Sequence, residues 1–527
     1  MEHMEQVERL IRASYPLVAI ESHEEARVLN GLKGIAADRG FPLYAWSISA
    51  GLEQLYPLAT EDEGDPNMTV VDRALEHALV WSAPSDEAPS GKPGVIVFKD
   101  LHHYMDDSVC LRLLRDLARV LPRRRASVVL LSPTFEVPPD LEKDVALVNF
   151  PLPDKGELQE RVESFAADLL DNPKASPDIV SLEDGGWEQV VRALQGLSLV
   201  EAEAALGEAV IANGRLDEGV LPLVLEAKAR QFSKSGALEY YRQQATFGDV
   251  GGLDLLLAEC KGLARTFSEE ATTFGVEPPR GFLLVGVPGC GKSLTAKAIA
   301  GGEMPLVRLD VGALFGSLVG QSEAQTRNAL KVVEAAAPVV LWLDEIEKGL
   351  GMGSGEMDGG TSQRVLGTIL TWMEETKAPV FVVATANDIT SLRPELIRRF
   401  DETFFIDLPQ PAERREILSI HLRKRGRDPE RFDLDAVVEK TEDFTGAEME
   451  EIVQKAIRRA FGLGKDAVET EDLLAAVAAT VPLNTTMHDQ IKGMRQWSTR
   501  ARPASSRQES GHQAKATRMG AVLDLDA

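Results

Sequence analysis

The sequence predicts an α/β fold class, with two parallel-sheet units in tandem, and three observations carry that expectation. Short apolar runs alternate with amphipathic segments through the first third of the 527 residues. A second such series starts near Phe247, after an alanine- and leucine-rich stretch that has lost the strand patterns. Within the second series a buried-strand pattern runs directly into a glycine loop and a helix, between Gly281 and Ala300. Alternation of this kind is the rhythm of βαβ units, whose helices cover a parallel sheet.

In the first unit, residues 1–150, strands are expected at Leu17–Ile20, Leu43–Trp46, Val95–Phe98 and Val128–Leu131. The first of them runs into Glu21-Ser22-His23-Glu24-Glu25, which has neither glycine nor lysine and carries three carboxylates. A phosphate would have to lie against those charges, so this turn cannot cradle one. Val95–Asp100 has the outline of a magnesium-acid strand without the glutamate that should follow. Two readings remain: a degenerate nucleotide-binding domain kept for assembly or partner contact, or an unrelated α/β domain. Residues 151–240 read as a helical subdomain and linker.

Composition narrows the function classes. A formal net charge of −26 repels nucleic acid and anionic lipid over the chain as a whole. The short basic clusters Arg123–Arg125 and Arg423–Arg425 read as solvated faces. Three cysteines, Cys110, Cys260 and Cys290, show no paired spacing, which argues against a disulfide framework or a zinc site. Apolar runs such as Val339–Leu343 are too short to span a membrane, and the acidic start Met1–Glu5 lacks a secretion signal. A cytoplasmic protein without membrane or nucleic-acid partners is expected.

The chemistry is concentrated in the second unit, residues 241–408. Gly286-Val287-Pro288-Gly289-Cys290-Gly291-Lys292-Ser293 fits the phosphate loop G-x-x-x-x-G-K-[ST], between a strand at Gly281–Val285 and a helix at Leu294–Ala300. Glycines let the backbone close on a β-phosphate, and the helix start adds partial positive charge there. Lys292 can then reach the β- and γ-phosphates of ATP, and Ser293 can ligate Mg2+. Cys290 is a small filler or, at a helix start that lowers thiol pKa, a redox-sensitive group. Ser322 with Gln325 suggests a capping box opening a helix that Pro338 stops. Val339–Leu343 is a buried strand ending in Asp344 and Glu345, the expected magnesium ligand and the group that polarises the attacking water. Asn387, after the strand Val380–Thr385, can orient that water. Arg398 and Arg399 suggest arginine fingers supplied to a neighbouring subunit.

In this order the motifs resemble the AAA ATPases, particularly the branch with katanin, spastin and the endosomal-sorting ATPases. Thr246–Leu253 looks like the segment that packs against adenine in that branch, through Asp249, Val250 and Gly251. Phe444–Glu448 looks like the opening of its helical lid, residues 409–483, where Gly446 and Ala447 approach the nucleotide. Thr445 and Glu448 form a capping box, and the helix after them is expected to bury Met449, Ile452, Val453, Ala456, Ile457, Ala460 and Phe461. From about Val7 to Ser505 the chain also resembles a two-domain AAA family called hypothetical chloroplast reading frame forty-six, found in cyanobacteria, algal plastids and other bacteria.

The resemblance implies Mg-dependent ATP hydrolysis by a homo-oligomer, a hexamer, that remodels a protein client. Leu318 stands where remodelling members place a pore aromatic, and Gly349–Gly360 resembles a second pore loop. Leucine at that position favours an alternative, a nucleotide-gated scaffold that threads nothing. A DNA-associated ATPase is disfavoured by charge. Residues 484–527, with seven Lys/Arg against four Asp/Glu, read as a flexible tail.

Overall fold

The computed structural model describes residues 2–57, 65–84, 92–173, 176, 178–182, 184–234, 236–241, 245–267, 269–300, 304–315, 321–350, 361–389 and 392–507. The pore-loop readings at Leu318 and across 351–360 lie outside the described residues. The chain forms two compact units, Met1–Leu152 with Ser198–Val200, and the remainder. No helix among the described residues is long and apolar enough to cross a membrane.

The first unit contains β1 (Leu17–Glu21), β2 (Leu43–Ser47), β3 (Gly51–Tyr56), β4 (Gly94–Lys99), β5 (Ala126–Ser132) and β6 (Val145–Asn149). They join in the order β3-β2-β4-β5-β1-β6, with β3 antiparallel and the rest parallel. Both faces are buried, which is why the strands read as continuous apolar runs. Leu17 and Ala19 pack into one core with the helices Val71–Trp81 and Ser108–Arg124. Val18 and Ile20 point the other way, into a core with Val28, Leu32 and Ala36 of the helix Glu25–Arg39.

The second unit starts with helices, among them Asp184–Leu194 and Leu221–Lys234. Its sheet comes next, with β7 (Leu238–Tyr241), β8 (Gly281–Gly286), β9 (Leu306–Leu309), β10 (Val339–Leu343), β11 (Val380–Ala386), β12 (Glu402–Ile406) and β13 (Arg502–Pro503). The order is β13-β12-β8-β11-β10-β9-β7, with β7 antiparallel at one edge. Numbered by appearance, the five consecutive parallel strands of each unit lie in the same order, fifth-first-fourth-third-second. Each unit also carries an antiparallel strand beside its second parallel strand. This shared topology supports the first unit as a relative of a nucleotide-binding domain. Ligands in such sheets bind beyond the carboxyl ends of the strands at the switch point, here after β8.

A helical lid packs on its own core of Leu418, Leu422, Val437, Met449, Ile452, Val453, Ala456 and Leu473. Its helix Gly446–Gly462 opens with the expected box: Thr445 N–H donates to Glu448 Oε2 (2.7 Å) and Glu448 N–H to Thr445 Oγ1 (3.3 Å).

Three sequence readings are corrected. Phe461 is 86% exposed, because the apolar period runs on into the last turn of this helix after the packing has ended. The helix starts before the residue expected to cap it: Gln321 is already helical in Gln321–Ala335, and the Ser322 carbonyl accepts from Thr326 Oγ1 (2.6 Å). The stretch read as a flexible tail is structured through Arg507. It forms the helix Leu483–Trp497 and then β13, which pairs with β12, and buries Ala504 and Ser505. Its polar composition hid this, since only a few of its residues, Ile491 and Met494 among them, face the core.

Candidate active site

β8 ends at Gly286, whose φ of +144° and close approach to β12 admit only glycine: a Cβ would lie 1.9 Å from the Ile406 carbonyl oxygen. The loop turns again through Gly291 (φ +96°) and enters the helix Lys292–Ile299 with its free N–H groups facing the loop. Lys292 is buried, and its Nζ donates to the carbonyls of Gly286 (2.7 Å) and Val287 (2.9 Å). Burial lowers its pKa to about 8. An anion in the loop reverses that penalty by giving the ammonium a counter-charge. The lid closes on the same loop, with Ala447 N–H donating to the Gly289 carbonyl (2.9 Å). Cys290 is buried here and its thiol is pushed up to about 12 by desolvation, so it remains protonated at neutral pH and the redox-sensitive reading loses its basis.

The acids stand at the ends of β10 and β11. Asp344 Oδ1 accepts from Ser293 Oγ (3.1 Å) and from Thr385 Oγ1 (2.6 Å), while Thr385 Oγ1 accepts from the Glu345 N–H (3.0 Å). A hydroxyl and a carboxylate converging in this way suit Mg2+, which takes one or two protein oxygens and keeps the rest of its shell for water and phosphate. No group of three or more His, Cys, Asp or Glu among the described residues forms a metal cage. Glu345 lies at φ +49°, a conformation an L-residue adopts at a cost. Asn387 Nδ2 donates to its Oε1 (3.1 Å), and Lys348 Nζ binds its Oε2. Glu347 accepts from the Asn387 N–H (3.1 Å) and has its other oxygen buried without a partner among the described residues. Desolvation raises its pKa above the usual carboxylate value.

Loop, acids and lid enclose a cavity of about 350 Å3. Pro288, Gly289, Gly291, Ser293 and Leu294 line its phosphate side, and Glu345, Thr385 and Asn387 its catalytic side. The far wall is apolar, with Val250, Leu253, Ile417 and Ile420, a slot able to take a flat heterocycle. Gly251 fits there because a Cβ would lie 2.7 Å from Ile417 Cγ1. Asp249 lines the same wall, but its carboxylate is engaged. A bond from Lys424, together with bonds from Thr246, lowers its pKa to about 2. Gly446 and Ala447 border the cavity from the lid.

The structure therefore gathers the loop, Asp249–Gly251, Glu345, Asn387, Gly446 and Ala447 around one cavity, with Gly286, Val287 and Asp344 directly behind its lining. Arg398 and Arg399 lie outside it: Arg398 is exposed, and Arg399 is half-buried and pairs with Glu374 (2.7 Å). Sequence reasoning missed Thr385, Glu347, Asp407, Glu413 and His421. Thr385 carried a signal, a lone polar residue closing an apolar strand at the level of two acids.

Family models match residues 3–150 (SpoVK-like AAA ATPase, N-terminal domain), 156–235 (SpoVK-like AAA ATPase, second domain), 282–408 (ATPase family associated with various cellular activities) and 431–475 (AAA+ lid domain). The uncharacterized AAA domain-containing protein ycf46 of Guillardia theta is 34% identical over 504 residues, 95% of either chain. That of Pyropia yezoensis is 32% identical over 96% of this chain and 100% of its own. The ATP-dependent zinc metalloprotease FtsH of Karelsulcia muelleri is 34% identical over 46% of this chain and 41% of its own.

Proposed function

This chain belongs to the AAA ATPase family, among the ycf46 proteins, and on that premise we propose that it hydrolyses ATP with Mg2+ as a ring of like subunits that remodels a protein client. The observation that carries the reading is the hydrogen-bonded row Ser293–Asp344–Thr385–Glu345–Asn387 across the mouth of the phosphate loop. When bound, Mg2+ would withdraw charge from the transferring phosphoryl group.

The chain's own residues do the rest. Lys292 turns from its loop carbonyls to the phosphate oxygens. Thr385 fixes Asp344 and the Glu345 backbone together, so that magnesium ligand and base move as one piece. Glu345 accepts a hydrogen bond from the attacking water, which Asn387 orients by holding the Glu345 carboxylate. Arg398 and Arg399, outside their own cavity, serve the cavity of a neighbour, which makes hydrolysis depend on assembly.

Glu345→Gln tests the assignment, since it keeps the side chain's shape and removes its basicity. ATP binding, read with a fluorescent analogue, should be retained while phosphate release falls by about 100-fold or more. Turnover at the unaltered rate would remove Glu345 from the role.

A further inference from the structure

Three residues lie side by side across the edge of the second sheet. Register places Glu239 of β7 opposite Arg308 of β9, and Arg308 opposite Trp342 of β10. Asp344 stands two positions after Trp342, and so begins on the same face. The Arg308 guanidinium lies over the Trp342 ring, 5.4 Å from its centroid, and reaches two carboxylates: Glu239 Oε2 at 3.1 Å and Asp344 Oδ2 at 3.8 Å. Glu239 is further fixed by the Tyr241 hydroxyl, which donates to the same oxygen (3.1 Å), and Tyr241 packs edge-on against Trp342 at 5.5 Å.

The contest between those carboxylates matters because Asp344 is the one acid aligned with Ser293 for magnesium. A guanidinium that moved fully onto Asp344 would form a forked ion pair and compete with a divalent cation for its oxygens. The nearer carboxylate, Glu239, holds it back.

We propose that Glu239 is a positioning residue for the magnesium site: by keeping Arg308 on β7, it leaves the Asp344 carboxylate open to the ion. The proposal rests on the ATPase reading of this cavity. Arg308 stays 3.8 Å from Asp344 Oδ2, while Oδ1 faces Ser293 and Thr385.

The test is the magnesium concentration that half-saturates tight binding of a fluorescent ATP analogue, measured on the full chain. Glu239→Gln should raise it about threefold, the scale of a partly screened ion-pair coupling. Analogue binding without magnesium should not change. Adding Arg308→Gln to Glu239→Gln should return the magnesium requirement to the wild-type value or below, a restoration that a general loss of structure cannot produce. An unshifted requirement in Glu239→Gln, or a double variant no better than the single, overturns the proposal and leaves the ATPase reading intact. Absence of analogue binding by the wild-type chain overturns both.

Discussion

Two buried lysines show how environment separates function from burden. Lys292 loses solvation in the phosphate loop but has two carbonyls to donate to and a place for an anion beside it, and its pKa falls to about 8. Lys228, in the helix Leu221–Lys234, is 1% exposed and faces the rings of Phe232 (5.7 Å) and Tyr240 (5.4 Å), and burial alone lowers its pKa to about 7. Ring faces offset part of the cost of an ammonium, but less than a carboxylate would. Between about pH 7 and the unfolded value of 10.5 the unfolded chain holds a proton here that the folded chain has released, so this group makes stability rise with pH across that window. Below pH 7 the folded protein carries the full penalty. Lys228→Met, which keeps the side chain's length, should raise stability at pH 6 by roughly 2–4 kcal/mol and flatten the dependence between pH 7 and 10, read from urea unfolding. An unchanged pH slope would show that Lys228 is not the titrating group. Lys292 was legible because its spacing from three glycines has one chemical meaning. Lys228 was not, because a lysine in Leu-Glu-Ala-Lys-Ala-Arg reads as helix surface until Tyr240 of β7 closes over it.

Among the elements, the segment from Leu483 to Arg507 bears on the cavity although the sequence marks it as tail. Arg495 Nε donates to both oxygens of Asp407 (3.0 and 2.8 Å) at the cavity wall. Leu483 N–H donates to Glu448 (2.7 Å) in the box that starts the lid helix. Ser505 Oγ bonds the buried Glu413, and Ser506 bonds Asp254 through both N–H (2.8 Å) and Oγ (2.6 Å), just past the cavity residue Leu253. One strap thus touches the cavity wall, the lid and the β12 edge. Ser505→Ala leaves a Glu413 oxygen buried with one partner fewer, a loss of about 1–3 kcal/mol. The unfolding midpoint should fall, and the affinity for an ATP analogue should drop by roughly three- to tenfold as the wall loosens. Unaltered affinity in Ser505→Ala and in a chain ending at Trp497 would show the strap to be separate from nucleotide binding. Strands of this kind escaped the sequence for a physical reason. β13 is two residues long and exists only because β12 pairs with it, and β7, Leu-Glu-Tyr-Tyr, is a short edge strand defined by Leu306–Leu309. The long interior runs at β8, β10 and β11 declared themselves by burial on both faces.

At the scale of the whole molecule, the two units repeat one strand order and differ in the segment after the first parallel strand. After β8 comes the glycine loop. After β1 comes buried Glu24, whose carboxylate accepts from Arg27 Nη1 (2.7 Å) and from the Leu199 N–H (2.7 Å), with no glycine loop. Catalysis is therefore assigned to the second unit, whose cavity has Lys292 as its one lining Lys or Arg among the described residues. On the proposed reading, a further cation for the γ-phosphate side comes from a neighbouring subunit. The paired arginines at the end of the helix Pro394–Ile397 are the source the sequence order suggests, and they lie outside their own cavity. If they act across a boundary, the interface is heterologous, each subunit lending its arginines to one neighbour and borrowing from the other. That geometry calls for complementation. Subunits carrying Arg398→Ala and Arg399→Ala should be inactive alone, as should Glu345→Gln subunits. Mixed in equal amounts before assembly, they would pair an intact Glu345 with intact arginines at about one quarter of randomly formed boundaries, and phosphate release should recover to about that fraction. Recovery requires the two defects to sit on opposite sides of one interface. If mixed assemblies of normal size stayed as inactive as either parent, the arginines would not complete a neighbour's site, and hydrolysis would need a different source of charge.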